Sequence, residues 1–175
     1  MPPAFVRCHV VVDSSCPNTR ATESHNDWTT TGGSPHTDQQ QRCGNATFAV
    51  RPCAPHRVAV AVIGEIDAVN GRALARYVER HTRVSRQLVL DLRAVDFFGS
   101  QGFTALFYIS VHCTRSDVDW AIVASPAVQR LLAICDPDGE LPVIGELGVA
   151  LSRLDRLAHS RHHVVRGARS RRLKR

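Results

Sequence analysis

An apolar run near the middle of the chain, residues 88–92 (LVLDL), constrains the fold more than any other segment. Its length and composition are typical of a β-strand that is buried on both faces of a sheet. The residues that follow it include Phe103, Leu106, Phe107 and Val111, which recur at the spacing of a core-packed helix. The segment therefore predicts a buried strand that leads directly into a helix.

Ser100 stands where this helix is expected to begin, with Gly99 before it and Gly102 just after it. A serine hydroxyl at the N-cap accepts a hydrogen bond from a free helix amide and contributes about 1 kcal/mol. Neighbouring glycines permit a tight turn from strand into helix. The local sequence thus predicts Ser100 as a helix N-cap, which by itself is a structural role.

The remaining elements follow from the spacing of apolar residues. Ser125 and Pro126 together form a helix start signal, N-cap serine and N1 proline. Other patterns predict strands near residues 47–50, 58–63, 120–124 and 141–144, and helices over 68–81, 126–135 and 147–157. This order predicts an α/β fold: a mostly parallel central sheet of about five strands with about four helices packed on it.

Length and composition predict one domain with two tails. A chain of 175 residues with 43% hydrophobic side chains holds one ordinary core. Residues 19–41 are rich in Thr, Ser, Asn, Asp, Gly and Gln, and they bury too little apolar surface to offset the entropy of ordering. We expect a disordered N-terminal extension at residues 1–45, an ordered domain at 46–158 and a basic disordered tail at 159–175.

Several classes of function are disfavoured by the sequence. The start of the chain lacks the pattern of a secretory signal, and no apolar run is long enough to span a bilayer, so we expect a cytoplasmic protein without membrane contact. The 6 cysteines form no C-x-x-C pair and are interpreted as free thiols. His159, His162 and His163 have no such pair to complete a zinc site. Nucleotide-binding and hydrolase motifs are also missing, so we expect neither catalysis nor a cofactor.

The end of the chain is strongly basic. Such a segment can contact nucleic acid or an acidic partner, but it lacks the interleaved aromatic residues that stack on bases. We therefore favour a solvated tail and do not expect a nucleic-acid partner. From residue 153 onward a single acid, Asp155, faces these side chains: Arg153, Arg156, Arg161, Arg166, Arg169, Arg171, Arg172, Lys174 and Arg175.

Three motifs occur in a fixed order: GEID at residues 64–67, LDL with VDFFGSQGF at 90–103, and ASPAVQRLL at 124–132. Together they resemble the STAS domain of bacterial anti-sigma-factor antagonists, over about residues 46–157. In that family the serine at the position of Ser100 accepts phosphate. The chain departs from the family pattern at Gly99, where an aspartate is usual, and at Gln101, where a small Ser or Thr is usual.

The resemblance implies a function. Such an antagonist binds an anti-sigma factor that is also a serine-protein kinase, and this frees the sigma factor. Phosphorylation at Ser100 would release the partner, and a phosphatase would reset the switch. The alternatives are a non-phosphorylated STAS module that binds a protein or a ligand, and a nucleic-acid-associated protein that uses its basic tail. The residues that the resemblance assigns to partner binding are Glu65, Asp67, Gly99, Ser100, Gln101, Gly102 and Phe103.

Two of these regions also have simpler interpretations. Asp67 follows a predicted strand and precedes a predicted helix, so it can act as a turn former or cap as well as a binding residue. Glu65 is interpreted as a solvated loop charge. Phe97 and Phe98 lie at the end of a strand, where alternation predicts that one of them belongs to the core.

Overall fold

The structure, a computed structural model, describes residues 39–172, with side chains described for residues 40–161. Helices and strands alternate after two initial hairpins. The elements are β1 (Gln39–Cys43), β2 (Ala46–Ala54), β3 (Arg57–Ile66), α1 (Gly71–Thr82), β4 (Gln87–Phe98), α2 (Ser100–Arg115), β5 (Asp119–Ala124), α3 (Pro126–Cys135), β6 (Val143–Ile144) and α4 (Leu147–Arg172).

The strands form a six-stranded sheet in the order β1-β2-β3-β4-β5-β6. The pairings of β1 with β2 and of β2 with β3 are antiparallel, and the three pairings from β3 to β6 are parallel. The predicted α/β fold, with a mostly parallel sheet and four helices, is confirmed. Within residues 39–172, no helix is long and apolar enough to cross a membrane.

The central strand β4 is buried on both faces, as its sequence predicts. Leu88, Leu90 and Leu92 have no exposed surface and pack toward α1, α2 and α3. Val89 points to the opposite face, where it packs with Ala150 and Leu154. Helices therefore cover both sides of β4, and among the described helices it is α4 that covers the second side.

Ordered structure begins before the predicted residue 46, because strand β1 precedes it. This strand runs antiparallel to β2, with Gln39 opposite Val50 and Cys43 opposite Ala46. The sequence of β1 is polar and so gives no apolar pattern that would predict a strand. An edge strand can be held by backbone hydrogen bonds without an apolar face. Residues 1–38 of the predicted N-terminal extension lie outside the described residues.

The helix α4 continues to Arg172, beyond the predicted end at residue 157 and into the segment that was predicted to be a disordered tail. Long-range contacts hold its first half: the Arg57 guanidinium binds both Gln87 Oε1 and Asp155 Oδ1. Further along, Arg161 donates to carboxylate oxygens of Asp117 and Asp119 at 2.8 and 2.7 Å. Residues 173–175 lie outside the described part of the chain.

The inner face of α2 differs from the predicted stripe. Leu106 is buried and Phe103 is partly buried, but 57% of Phe107 is exposed. The buried stripe combines two large residues, Leu106 and Ile109, with three small ones that let α2 pack closely against its neighbours. Its buried members are Gly102, Ala105, Leu106, Ile109 and Cys113.

Candidate functional site

The carboxyl ends of β3 and β4 lie side by side, because the two strands are parallel and Ile66 is in register with Phe98. The amide of Gly99 extends this pairing by donating a hydrogen bond to the carbonyl of Ile66, at 2.8 Å. The next residue on each strand is a predicted site residue, Asp67 after Ile66 and Ser100 after Gly99. The fold therefore places these two residues just beyond the ends of adjacent strands, Asp67 in the loop before α1 and Ser100 at the start of α2.

Ser100 is the first residue of α2, and the N-cap is Gly99. The predicted N-cap role of Ser100 is thus wrong by one residue. Gly99 has an extended backbone, and its carbonyl accepts the amide of Gly102 at 2.9 Å. Because β4 runs as far as Phe98, the change from strand to helix falls on Gly99. Ser100 is left exposed, and its hydroxyl makes no hydrogen bond within the part of the chain that the structure describes.

Asp67 is partly buried and forms the turn before α1. Its Oδ1 atom accepts hydrogen bonds from the amides of Val69, at 2.8 Å, and Asn70, at 3.3 Å. This is the turn-forming role that its position in the sequence suggested. The side chain is therefore held in one orientation near the start of α2, where Ser100 lies.

Asn70 is a site residue that sequence reasoning missed. Its side chain is completely buried, accepts the Asp67 amide at 3.0 Å and donates to the carbonyls of Glu65 and Cys43 at 2.8 and 3.3 Å. One amide thus joins β1, the end of β3 and the start of α1. No local pattern predicts this role, because the Cys43 carbonyl belongs to the strand that the sequence did not reveal.

Glu65 is exposed, but it is bound to the neighbouring turn. Its Oε2 atom accepts a hydrogen bond from Asn45 Nδ2 at 2.9 Å. The approach requires glycine at position 64, where φ is +98° and a Cβ atom would lie 2.1 Å from the Asn45 carbonyl oxygen. Glu65 therefore stands at the side of the site that faces the turn between β1 and β2.

Two glycines allow close packing around the site. A Cβ atom on Gly71 would lie 2.7 Å from the carbonyl oxygen of Gln101, so the N-terminus of α1 touches the first turn of α2. A Cβ atom on Gly102 would lie 2.6 Å from the ring of Phe98. Gly102 is thus a buried packing position under the site. Gln101, by contrast, is exposed beside Ser100.

Exposed apolar side chains surround this polar centre. Val69, in the loop after Asp67, is 72% exposed, and Phe97, at the end of β4, is 53% exposed. Phe98 is buried at 5%, which confirms that one of the two phenylalanines belongs to the core. The ring of Phe97 lies 3.3 Å from where a Gly99 Cβ atom would be, so the glycine makes room for that ring.

The outer face of α2 also carries exposed aromatic side chains. Phe107 and Tyr108 are each 57% exposed, and their ring centroids are 6.4 Å apart. Exposed aromatic pairs of this kind are characteristic of protein-binding surfaces. Further along the helix, burial raises the pKa of Cys113 to about 12, which keeps its thiol protonated and places it outside the site chemistry. Among the side chains that are described, no cluster of His, Cys, Asp and Glu is arranged to hold a metal ion.

Comparison with known proteins gives the family of this fold. The STAS domain model matches residues 50–150. Osmosensory protein A from Mycobacterium tuberculosis is 36% identical over 102 residues, which are 54% of this chain. The chain spans 65% of the length of that relative.

Solved structures agree with this match. An anti-sigma factor antagonist from Mycobacterium paratuberculosis is 28% identical, with a TM-score of 0.53 over 62% of this chain and 92% of its own. SpoIIAA in its unphosphorylated form has a TM-score of 0.52 at 11% identity over 62% of this chain and 96% of its own, a likeness of fold alone. The family match covers more than half of the chain, so this protein belongs to the STAS domain family, and its structural neighbours include anti-sigma factor antagonists.

Proposed function

We propose that this chain is an anti-sigma factor antagonist that binds an anti-sigma factor of the serine-kinase type and so frees a sigma factor. The observation that carries the proposal is the exposed position of Ser100, at the start of α2 and beside the loop of Asp67. The antagonist from Mycobacterium paratuberculosis supports it, because nearly all of that chain, 92%, is covered by the match.

The partner surface that we propose is centred on Ser100 and flanked by apolar side chains. Val69 and Phe97 stand beside it, and Phe107 and Tyr108 extend it along α2. Apolar and aromatic contacts supply most of the affinity of a protein interface, whereas a central polar residue supplies specificity. Ser100 therefore occupies the position where a change of charge has the largest effect on binding.

Phosphorylation of Ser100 would act on the partner and leave the fold intact. A phosphate adds about −1.5 to −2 charges, and a helix N-terminus favours such an anion because its first amides lack partners. An interface that closes over Ser100 would instead have to desolvate the dianion. A loss of about 3 kcal/mol would weaken binding more than a hundredfold.

The proposal assigns binding to this chain and catalysis to its partners. The anti-sigma factor acts as the serine-protein kinase, and a phosphatase removes the phosphate. The role requires no cofactor or metal on this chain. Asp67 is proposed to support the kinase contact through the same fixed orientation that forms the turn before α1.

The experiment that tests this proposal maps phosphate by mass spectrometry after incubation with candidate anti-sigma kinases and ATP. We expect one kinase to bind the chain and to phosphorylate Ser100, and we expect Ser100→Ala to bind that kinase without accepting phosphate. Binding without any phosphate on Ser100 would favour the alternative, a constitutive STAS interaction module. Failure of every anti-sigma factor to bind the wild type would overturn the proposal.

A further inference from the structure

The outer face of α1 carries a row of arginines, Arg72, Arg76, Arg80 and Arg83, which we call the α1 arginine stripe. Residues at these intervals of four, four and three lie on one side of a helix. All four side chains are exposed. Like charges at this spacing repel one another, and the helix dipole favours Arg80 and Arg83 at the C-terminal end of α1 but not Arg72 or Arg76 in its first half.

The last three members of the stripe form no ion pair with a described carboxylate, and the carboxylate next to them along the helix, Glu79, is one turn from both Arg76 and Arg83. Arg80 is held by neutral groups: it donates to Gln41 Oε1 at 2.7 Å, and its guanidinium lies 5.4 Å from the ring centroid of Tyr77. Arg76 and Arg83 form no ion pair with a carboxylate of residues 40–161. Other arginines of the fold do find such partners, as in the pairs Arg57–Asp155, Arg93–Asp91 and Arg161–Asp117.

The stripe begins next to the proposed partner surface. Gly71 contacts the backbone of Gln101, so the first turn of α1 lies against the first turn of α2. A partner that covers Ser100 needs only to extend along α1 to reach Arg76 and Arg83. The helix α4 lies on the opposite face of the sheet, with its own exposed arginines at Arg153 and Arg156.

We propose that the α1 arginine stripe binds a carboxylate-rich surface of the anti-sigma partner, an inference that rests on the proposed function. A guanidinium can bind a carboxylate with two parallel hydrogen bonds, which gives geometric specificity as well as charge attraction. A protein fits this end of the molecule better than nucleic acid does. The exposed Val69 and Phe97 beside the start of α1 favour an apolar contact, which a protein surface supplies and a phosphate backbone does not.

The test compares two double variants that each remove two exposed positive charges. Arg76→Gln/Arg83→Gln changes the stripe, and Arg153→Gln/Arg156→Gln is the matched control on α4. Arg80 is left in place because it contacts β1 and Tyr77. The dissociation constant for the anti-sigma factor is measured between about 50 and about 300 mM NaCl, a range over which screening changes strongly. Thermal unfolding of each variant checks that the fold is retained.

We expect the stripe variant to bind the anti-sigma factor about tenfold more weakly than wild type at low salt, with a shallower salt dependence. The α4 variant should bind like wild type. If the stripe variant binds the anti-sigma factor as tightly as wild type while a charge on Ser100 still weakens binding, this inference is overturned and the proposed function stands. If the stripe variant instead loses binding to random-sequence duplex DNA alone, the stripe is a nucleic-acid site and the inference is wrong. If the wild type binds no anti-sigma factor, both proposals fail.

Discussion

The amide of Gly99 donates a hydrogen bond to the carbonyl of Ile66, at 2.8 Å, beyond the last paired residues of β3 and β4. Backbone pairing thus continues up to the residues before Ser100 and Asp67. Because a backbone hydrogen bond has defined geometry, it fixes the spacing of the two strand ends independently of the side chains that follow them. The candidate site is therefore built on the ends of two central strands, and its exposed side chains rest on a rigid base.

Asn70→Ala should destabilise the fold strongly. The substitution removes three hydrogen bonds of a fully buried amide and leaves the carbonyls of Glu65 and Cys43 without that donor. We expect the free energy of unfolding to fall by about 2 to 3 kcal/mol in urea titrations. Asn45→Ala, which removes one exposed bond to Glu65, is the control and should cost less than about 1 kcal/mol. Equal losses for the two variants would contradict the central role given to Asn70.

Gly71→Ala tests the close contact of α1 with α2. The added Cβ atom would lie 2.7 Å from the carbonyl oxygen of Gln101, so the two helix starts must separate. We expect a loss of about 1 to 3 kcal/mol in the free energy of unfolding. Gly148→Ala, at a helical position with nothing within 4 Å, should instead stabilise the fold by up to about 1 kcal/mol. A neutral Gly71→Ala variant would show that the helices do not meet in this way.

The ion pair of Asp155 with Arg57 should make the stability of the fold depend on pH. The hydrogen bond from Arg57 is the main cause that holds the pKa of Asp155 below its ordinary value of 3.8. Because the pKa of Asp155 is lower in the folded state, the pair stabilises the fold fully at a pH above the ordinary pKa. This contribution is lost as the pH falls through the lowered pKa. Wild type should therefore exceed Asp155→Asn in urea midpoint near neutral pH, and the gap should shrink in acid. A gap that is constant with pH would argue against this ion pair.

Phe97→Ala tests the apolar border of the proposed partner surface. The ring is 53% exposed, so its removal should lower the free energy of unfolding by only about 1 kcal/mol. We expect affinity for the anti-sigma factor, measured by calorimetry, to fall about tenfold or more. Ile134→Ala on α3, with 77% of the side chain exposed, is the matched control and should leave affinity unchanged. Similar affinities for both variants would place the interface elsewhere.

The elements that the sequence predicted well are those defined by local patterns. The run at residues 88–92 is buried because every apolar position meets a helix or a neighbouring strand. Ser125 also caps α3 as predicted: its Oγ atom accepts the Val128 amide at 3.3 Å. In both cases the signal lies within a few consecutive residues, so the element can be predicted without knowing which distant residues pack against it.

The features that the sequence could not predict depend on distant partners. The helix α4 is held by Arg161 through Asp117 and Asp119, which are 44 and 42 residues away in the chain. The strand β1 has a polar sequence, and backbone pairing with β2 holds it in place. The burial of Asn70 in turn depends on β1. At Ser100 the predicted cap was displaced because the length of β4, which sequence periodicity does not define, decides where α2 begins.

The central claim is that charge on Ser100 controls partner binding, and one affinity measurement tests it most directly. The dissociation constant for the anti-sigma factor is compared among wild type, Ser100→Asp and Ser152→Asp, the last being an exposed serine on α4 with the same change of charge. We expect Ser100→Asp to bind about a hundredfold more weakly, and Ser152→Asp to bind like wild type. Equal affinity for Ser100→Asp and wild type would contradict the account.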